Sequence, residues 1–103
     1  MITITKEGYK ITVEGHAGYA PHGHDIVCSA VSSLFCAMSG GLSAHEELFE
    51  ESPSVYTKLG FAIFECAPKP KSKAKVDLVW DIFESSFVAL SLQYPEYVSF
   101  CKK

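Results

Sequence analysis

Two amphipathic helical patterns constrain the fold of this chain most strongly. In each, apolar residues recur every three or four positions, the spacing that places them on one face of an α-helix. The stripes are Val27, Ala30, Val31, Leu34, Phe35 and Met38, and Val76, Val79, Trp80, Phe83, Phe87, Leu90 and Tyr94. Asp25 is a good N-cap for the first helix, which we expect to run to about Gly40-Gly41, and Pro95 stops the second. Each stripe needs a surface to cover it.

Alternating apolar and polar residues predict the sheet that supplies this surface. Residues 1–15 alternate with period two around a turn at Glu7-Gly8, which is typical of a β-hairpin. Residues 61–66 form a clear further strand, and shorter strands are expected around Tyr56 and at residues 97–100, whereas residues 42–56 carry little pattern. The predicted fold class is α+β, a two-layer sandwich of a mostly antiparallel sheet packed with two long helices, in the order β-β-α-β-β-α-(β). At 103 residues, we expect a single domain over 1–103.

Composition excludes several functional classes. A formal charge of −3 argues against direct nucleic-acid binding. The first residues lack a secretory signal, and no uninterrupted run reaches the roughly 18 apolar residues of a membrane span, so we expect a cytoplasmic chain with no membrane partner. Its thiols are then reduced, and Cys36, Cys66 and Cys101 are interpreted as small, partly buried hydrophobes. The basic segment 68–75 is interpreted as a solvated linker.

Reactive residues concentrate between Gly15 and Cys28, where three of the four histidines lie. If Asp25 caps the helix, Cys28 is in its first turn, where the helix dipole and unpaired N–H groups favour a thiolate and could also bind an oxyanion. His16 leaves a strand beside this helix, and its imidazole can take the thiol proton. The pattern indicates a thiol-protease dyad of Cys28 and His16.

Two other interpretations stay open from the residues alone. In the first, Cys28 is an unreactive helix residue and His16 is a strand-end residue bonded to backbone. In the second, His22, His24 and Cys28 bind a metal with His16 as a fourth ligand, although this spacing fits no standard zinc module.

The order of residues between positions 15 and 32 resembles a known family. Gly15-His16-Ala17, Gly23, Asp25-Ile26-Val27-Cys28, Ala30 and Ser32 stand as they do in the ribosomal-processing cysteine proteases of bacteria. The Gly60-Phe61 strand start, the second helix and residues 93–98 are also similar, so the resemblance spans nearly the whole chain. Residues 42–58 match poorly.

The resemblance implies a specific activity. Members of the family are small cytoplasmic homodimers with an α+β sandwich fold. They remove a short N-terminal extension from the precursor of a large-subunit ribosomal protein, the twenty-seventh, and need no cofactor or metal. The catalytic Cys of the family falls on Cys28 and its His on His16. Its supporting Gly, Asp and Ser fall on Gly15, Asp25 and Ser32.

This chemistry gives each residue an expected role. Cys28 attacks the scissile carbonyl, and His16 acts first as base and then as acid. Asp25 is either the N-cap alone or also a contact to substrate or to the His16 imidazole, and Ser32 either bonds to the site wall or lies on a plain helix face. Loop 17–24 is a candidate lid. The alternative function is a non-catalytic module that docks on the ribosome or on the precursor.

Overall fold

The elements follow one another in the predicted order. The computed structural model of the chain describes residues 1–21 and 25–103. Within these residues, strands β1 to β5 span Ile2–Glu7, Lys10–Gly15, Ser54–Lys58, Phe61–Glu65 and Val98–Lys102. Helices α1 and α2 span Ile26–Ser43 and Lys73–Gln93, and short 3-10 helices cover Glu46–Leu48 and Pro70–Ser72. The order β-β-α-β-β-α-β and the α+β class are confirmed.

The strands form one sheet in the order β3-β4-β2-β1-β5. The β1–β2 hairpin is antiparallel, with Ile4 opposite Val13, and β4 pairs antiparallel with both β2 and β3. Strand β5 instead runs parallel to β1, with Ile4 opposite Phe100. A parallel neighbour needs a crossover connection, and α2 provides the return along the sheet that brings β5 beside β1.

The core lies between the sheet and the two helices. Ile4 and Phe64 come from the sheet, Val27 from α1, and Val76 and Phe87 from α2, and all five are completely buried. Their side chains belong to one continuous cluster, so the helical stripes and the alternating strand residues bury each other as the sequence predicts. Trp80 is 3% exposed and is therefore a core residue.

Several local predictions need correction. Helix α2 begins at Lys73, so residues 73–75 of the basic segment are helical and only its first part is a linker. Cys66 is buried as predicted, but Cys36 and Cys101 are exposed, because α1 and β5 turn those positions away from the core. Helix α1 ends at Ser43, slightly beyond the predicted glycines.

Helix α1 is long enough to be compared with a helix that spans a bilayer. By length and composition, its 18 residues are apolar enough to do so, since serine and glycine interrupt the apolar residues without making the helix strongly polar. A core helix of a soluble protein passes the same test. Val27, Val31, Phe35 and Met38 are buried against the rest of the fold, as expected of a core helix.

Candidate active site

The Asp25 carboxylate organises the start of α1. It accepts hydrogen bonds from the backbone N–H groups of Val27 at 3.0 Å, Cys28 at 2.9 Å and Tyr19 at 3.1 Å. Burial by itself raises the pKa of Asp25, but these hydrogen bonds, with that from Cys28 the strongest, outweigh burial and hold the pKa below its ordinary value. The charged carboxylate therefore fixes both the first turn of α1 and the loop that precedes it.

The loop is held at two further points, one on α1 and one at the C-terminal end of α2. The backbone N–H of Ala17 donates to the Cys28 sulfur at 3.3 Å. The Tyr19 ring packs edge-on against Tyr94 and Tyr97, with ring centroids 6.1 and 5.2 Å apart. Because Ala17 directly follows His16, the first of these contacts ties the exit of β2 to the sulfur.

The environment of Cys28 corrects the expected thiol chemistry. Burial raises the pKa of Cys28, the Ala17 N–H opposes this, and the Asp25 carboxylate raises the pKa further. A lowered pKa was expected from the first-turn position. Burial, with the capping carboxylate second, reverses this expectation, because Asp25 puts a negative charge beside the sulfur and occupies the N–H groups of Val27 and Cys28. Those two N–H groups are thus also engaged and not free to bind an oxyanion.

Two glycines hold His16 at the exit of β2. Gly15 has φ +97°, and a Cβ there would collide with the carbonyl oxygen of Met1. Its N–H donates to the Gly60 carbonyl at 2.8 Å. Gly60 has φ +76°, and a Cβ on it would lie 2.9 Å from His16 Nε2. The imidazole therefore packs directly on the β3–β4 turn, and a side chain at position 60 would displace it.

All five residues singled out from the sequence line one groove of about 830 Å³. They are Gly15, His16, Asp25, Cys28 and Ser32. In the part of the chain that the structure describes, no hydrogen bond joins His16 to Cys28 or to Asp25, and none involves the Ser32 hydroxyl. Asp25 is thus an N-cap in this state, and the candidate base and nucleophile share a cleft without touching by a hydrogen bond.

The opposite wall of the groove was missed from the sequence. It is formed by the β3–β4 turn and the start of β4, residues Thr57, Lys58, Leu59, Gly60 and Phe61. Thr57 and Lys58 belong to the segment 42–58, which matches the family poorly, and only the Gly60-Phe61 strand start signalled a role. With Val31 and Phe35 on the other side, the groove is largely apolar.

The metal interpretation depends on residues that the structure does not describe. His22 and His24 lie outside the described ranges, so metal binding stays an open alternative, and the lid role of loop 17–24 stays a hypothesis. Among residues 1–21 and 25–103, no group of three or more His, Cys, Asp or Glu side chains is placed to hold a metal ion.

Comparison with known proteins matches both the sequence and the fold. Residues 1–99 match the family model described as cysteine protease Prp. The chain is also 30% identical over 100 residues to a Mycoplasma pneumoniae protein named ribosomal processing cysteine protease Prp, a match that covers 97% of this chain and 93% of that protein.

Solved structures share the fold at lower sequence identity. The essential ribosomal processing protease Prp from S. aureus, in complex with a covalently linked product peptide, superposes with a TM-score of 0.80 at 21% identity, with both chains fully covered. A protein from Streptococcus mutans superposes with a TM-score of 0.71 at 24% identity, covering 99% of this chain and 93% of that one. The family match over nearly the full length, together with the named relative, shows that this chain belongs to the Prp family of ribosomal-processing cysteine proteases.

Proposed function

We propose that this protease is an endopeptidase that removes the N-terminal extension from the precursor of a large-subunit ribosomal protein, the twenty-seventh. Cys28 is the nucleophile and His16 is the general base and acid. The observation that carries the proposal is the groove in which both side chains lie, one at the start of α1 and the other at the exit of β2. The M. pneumoniae relative is named a ribosomal processing protease, and this name supports a ribosomal protein precursor as the substrate class.

The proposed reaction needs only these two side chains and water. His16 takes the Cys28 proton, and the sulfur attacks the scissile carbonyl carbon to form a tetrahedral intermediate. The C–N bond then breaks as the imidazolium returns the proton to the leaving amine, which leaves a thioester. Water, deprotonated by His16, attacks the thioester and releases the extension as a free carboxylic acid with the thiol restored. The covalent product complex of the S. aureus protein is consistent with such an enzyme-bound stage.

Substrate binding is the step that brings the pair together in this proposal. The pKa of Cys28 is raised, so the thiol carries its proton near neutral pH. A peptide in the apolar groove excludes water and draws the exposed imidazole toward the sulfur, where a thiolate–imidazolium pair can form. Catalytic contacts that tighten only in the complex are common among enzymes.

Three further residues support the pair. Gly15 lets the chain turn at the strand exit, so that the following residue faces the groove. Asp25 positions Cys28 and the loop through its three backbone hydrogen bonds. Ser32 lies one helical turn from Cys28 on the groove side of α1, where its hydroxyl can bond to the backbone of a bound peptide.

Resemblance to the family also supports a domain organisation, a cellular location, an oligomeric state and a partner. We propose that residues 1–103 act as a single protease domain, that the protein works in the cytoplasm, and that it is a homodimer. Its protein partner is the ribosomal precursor. Localisation of the tagged protein, its mass in solution and capture of the precursor test the last three of these statements independently of the catalytic assignment.

Cleavage of the extended precursor by purified protein tests the catalytic assignment. Cys28→Ala and His16→Ala should each abolish the appearance of shortened product in a mass spectrum while the far-ultraviolet circular dichroism spectrum is unchanged. Cys101→Ala and His45→Ala are matched controls, because both residues are exposed and lie outside the groove. Undiminished cleavage by Cys28→Ala would contradict the proposal. Binding of uncut precursor without product over hours would instead favour the docking-module alternative.

A further inference from the structure

The exposed side of α2 carries a second apolar stripe. Leu78, Ile82 and Leu92 are 61%, 55% and 77% exposed, although a surface helix normally presents polar residues to water. Ser85 and Ala89, also exposed, lie between them. The spacing of these five residues alternates between four and three, which is the spacing of the seam of a coiled coil. We call residues 78, 82, 85, 89 and 92 the outer stripe.

The outer stripe is nearly symmetric about its centre. Leu78 and Leu92 lie equally far from Ser85 on either side, and Ile82 and Ala89 lie three and four positions away. In an antiparallel pair of α2 helices centred on Ser85, Leu78 therefore meets the partner's Leu92. Ile82 likewise meets the partner's Ala89, a large side chain against a small one. Self-complementarity of this kind is what a two-fold interface requires.

Charges lie beyond both ends of the stripe. Lys75 precedes Leu78 by three positions in the first turn of α2, and Glu96 lies in the turn just after the helix ends at Gln93. Both are exposed, and neither forms an ion pair among the residues that the structure describes. Antiparallel pairing of α2 brings Lys75 to the end of the partner's helix, close to the turn that carries the partner's Glu96. One end of the stripe is thus basic and the other acidic, as an antiparallel partner of the same sequence needs.

We infer that the outer stripe of α2 is the surface through which two copies of this chain associate, with their α2 helices antiparallel about Ser85. The inference rests on the proposed homodimer and names its surface. No residue of the stripe lines the groove, so both grooves stay open to substrate in the pair. Association on this surface also removes from water the apolar side chains that α2 otherwise exposes.

Sedimentation velocity over a dilution series tests the surface. The unmodified chain should sediment as a dimer. Ile82→Lys should raise the dimer dissociation constant by about tenfold or more, since each interface loses two central apolar contacts and gains two buried charges. Val55→Lys is the matched control, because Val55 is similarly exposed, at 52%, but lies on the edge strand β3, and it should leave the dimer intact.

Charge reversal tests the antiparallel direction. Lys75→Glu should weaken the dimer several-fold, and adding Glu96→Lys to the same chain should restore it. Within one chain, the part of α2 from Lys75 to Gln93 is about 27 Å long and separates Lys75 from the turn that carries Glu96, so rescue inside a protomer is not expected. Ser85→Cys should form a disulfide-linked dimer on mild oxidation in a chain with Cys36 and Cys101 replaced by serine, whereas Ser33→Cys on α1 should not.

The outcomes separate this surface from the alternatives. A monomeric unmodified chain at high concentration overturns the proposal together with the homodimer. If the dimer survives Ile82→Lys but dissociates with Val55→Lys, the interface is not the outer stripe, although the protein is still a homodimer. Cleavage of the precursor is not used in either measurement, so failure here is distinguishable from failure of the catalytic assignment. If Ile82→Lys fails to fold, the Ser85→Cys crosslink still decides.

Discussion

The backbone N–H of Ala17 donates a hydrogen bond to the sulfur of Cys28, with the nitrogen and the sulfur 3.3 Å apart. The bond joins the residue after His16 to the first turn of α1. It favours the thiolate over the thiol, because an N–H group interacts more strongly with a charged acceptor. This effect is outweighed by burial and by the Asp25 carboxylate, so the pKa of Cys28 is raised. The first turn of α1 thus holds the Cys28 sulfur in a fixed position, although the thiol is not yet ionised.

Removing the negative charge at position 25 should activate the thiol. Asp25→Asn keeps an oxygen that can accept the capping hydrogen bonds but loses the charge that raises the pKa of Cys28. We expect the pKa of Cys28 to fall, so that iodoacetamide labels Cys28 faster at a fixed pH near 8. Mass spectrometry of the Cys28 peptide measures the rate, and the Cys101 peptide is the internal control. If Cys28 is labelled at an equal or slower rate in Asp25→Asn, the carboxylate does not raise the pKa of Cys28.

Adding one methyl group at position 60 should displace the imidazole. Gly60→Ala places a Cβ 2.9 Å from His16 Nε2 and also strains a residue at φ +76°, which costs roughly 1–2 kcal/mol of stability. Gly8→Ala carries similar strain at φ +58° with nothing within 4 Å of the new Cβ. We expect both variants to melt earlier, and Gly60→Ala alone to lose about tenfold or more in precursor cleavage. Equal cleavage by the two variants would refute a link between Gly60 and His16.

Low pH should weaken the contact that Asp77 on α2 makes with the β1–β2 hairpin. Asp77 accepts hydrogen bonds from Lys73 at 2.6 Å and from the Tyr9 hydroxyl at 2.5 Å. The Lys73 contact, followed by that of Tyr9, holds the pKa of Asp77 below its ordinary value of 3.8. The ionised group therefore stabilises the fold at neutral pH, and this contribution is lost as the pH falls below that value.

Melting temperatures at two pH values test this linkage. Asp77→Asn should melt below the unmodified chain at pH 7, and the difference should shrink at a pH near 2, because protonation of Asp77 removes the stabilising contribution of its charge. Asp81→Asn, an exposed neighbour on α2 without a hydrogen bond among the described residues, should change little at either pH. A difference for Asp77→Asn that is as large in acid as at pH 7 would show that its charge is not responsible.

Core packing should dominate the overall stability. Phe87 is completely buried where α2 meets the sheet, and Phe87→Ala should cost about 3–5 kcal/mol through lost burial and the cavity left behind. That is a large fraction of the roughly 5–15 kcal/mol that stabilises a typical domain. Val55→Ala, at a half-exposed site on β3, should change the free energy of unfolding by less than about 1 kcal/mol. Urea denaturation measures both, and comparable losses would place Phe87 outside the cooperative core.

The sequence by itself determined the elements and the candidate pair. Helical spacing, period-two alternation and the Asp25 cap act between near neighbours in the chain, so they could be seen without a fold. They located α1, α2 and the hairpin, and they placed Cys28 in the first turn of a helix and His16 at the exit of a strand.

Only the tertiary structure decided what surrounds that pair. The capping position by which Asp25 is recognised in the sequence also places its negative charge beside the Cys28 sulfur. Whether the helix dipole lowers the pKa of Cys28 or the carboxylate raises it depends on burial and hydrogen bonds. The Ala17 N–H, the Gly60 turn against His16 and the parallel pairing of β5 join positions far apart in sequence. Such contacts are set by how the layers pack, and local pattern carries no record of them.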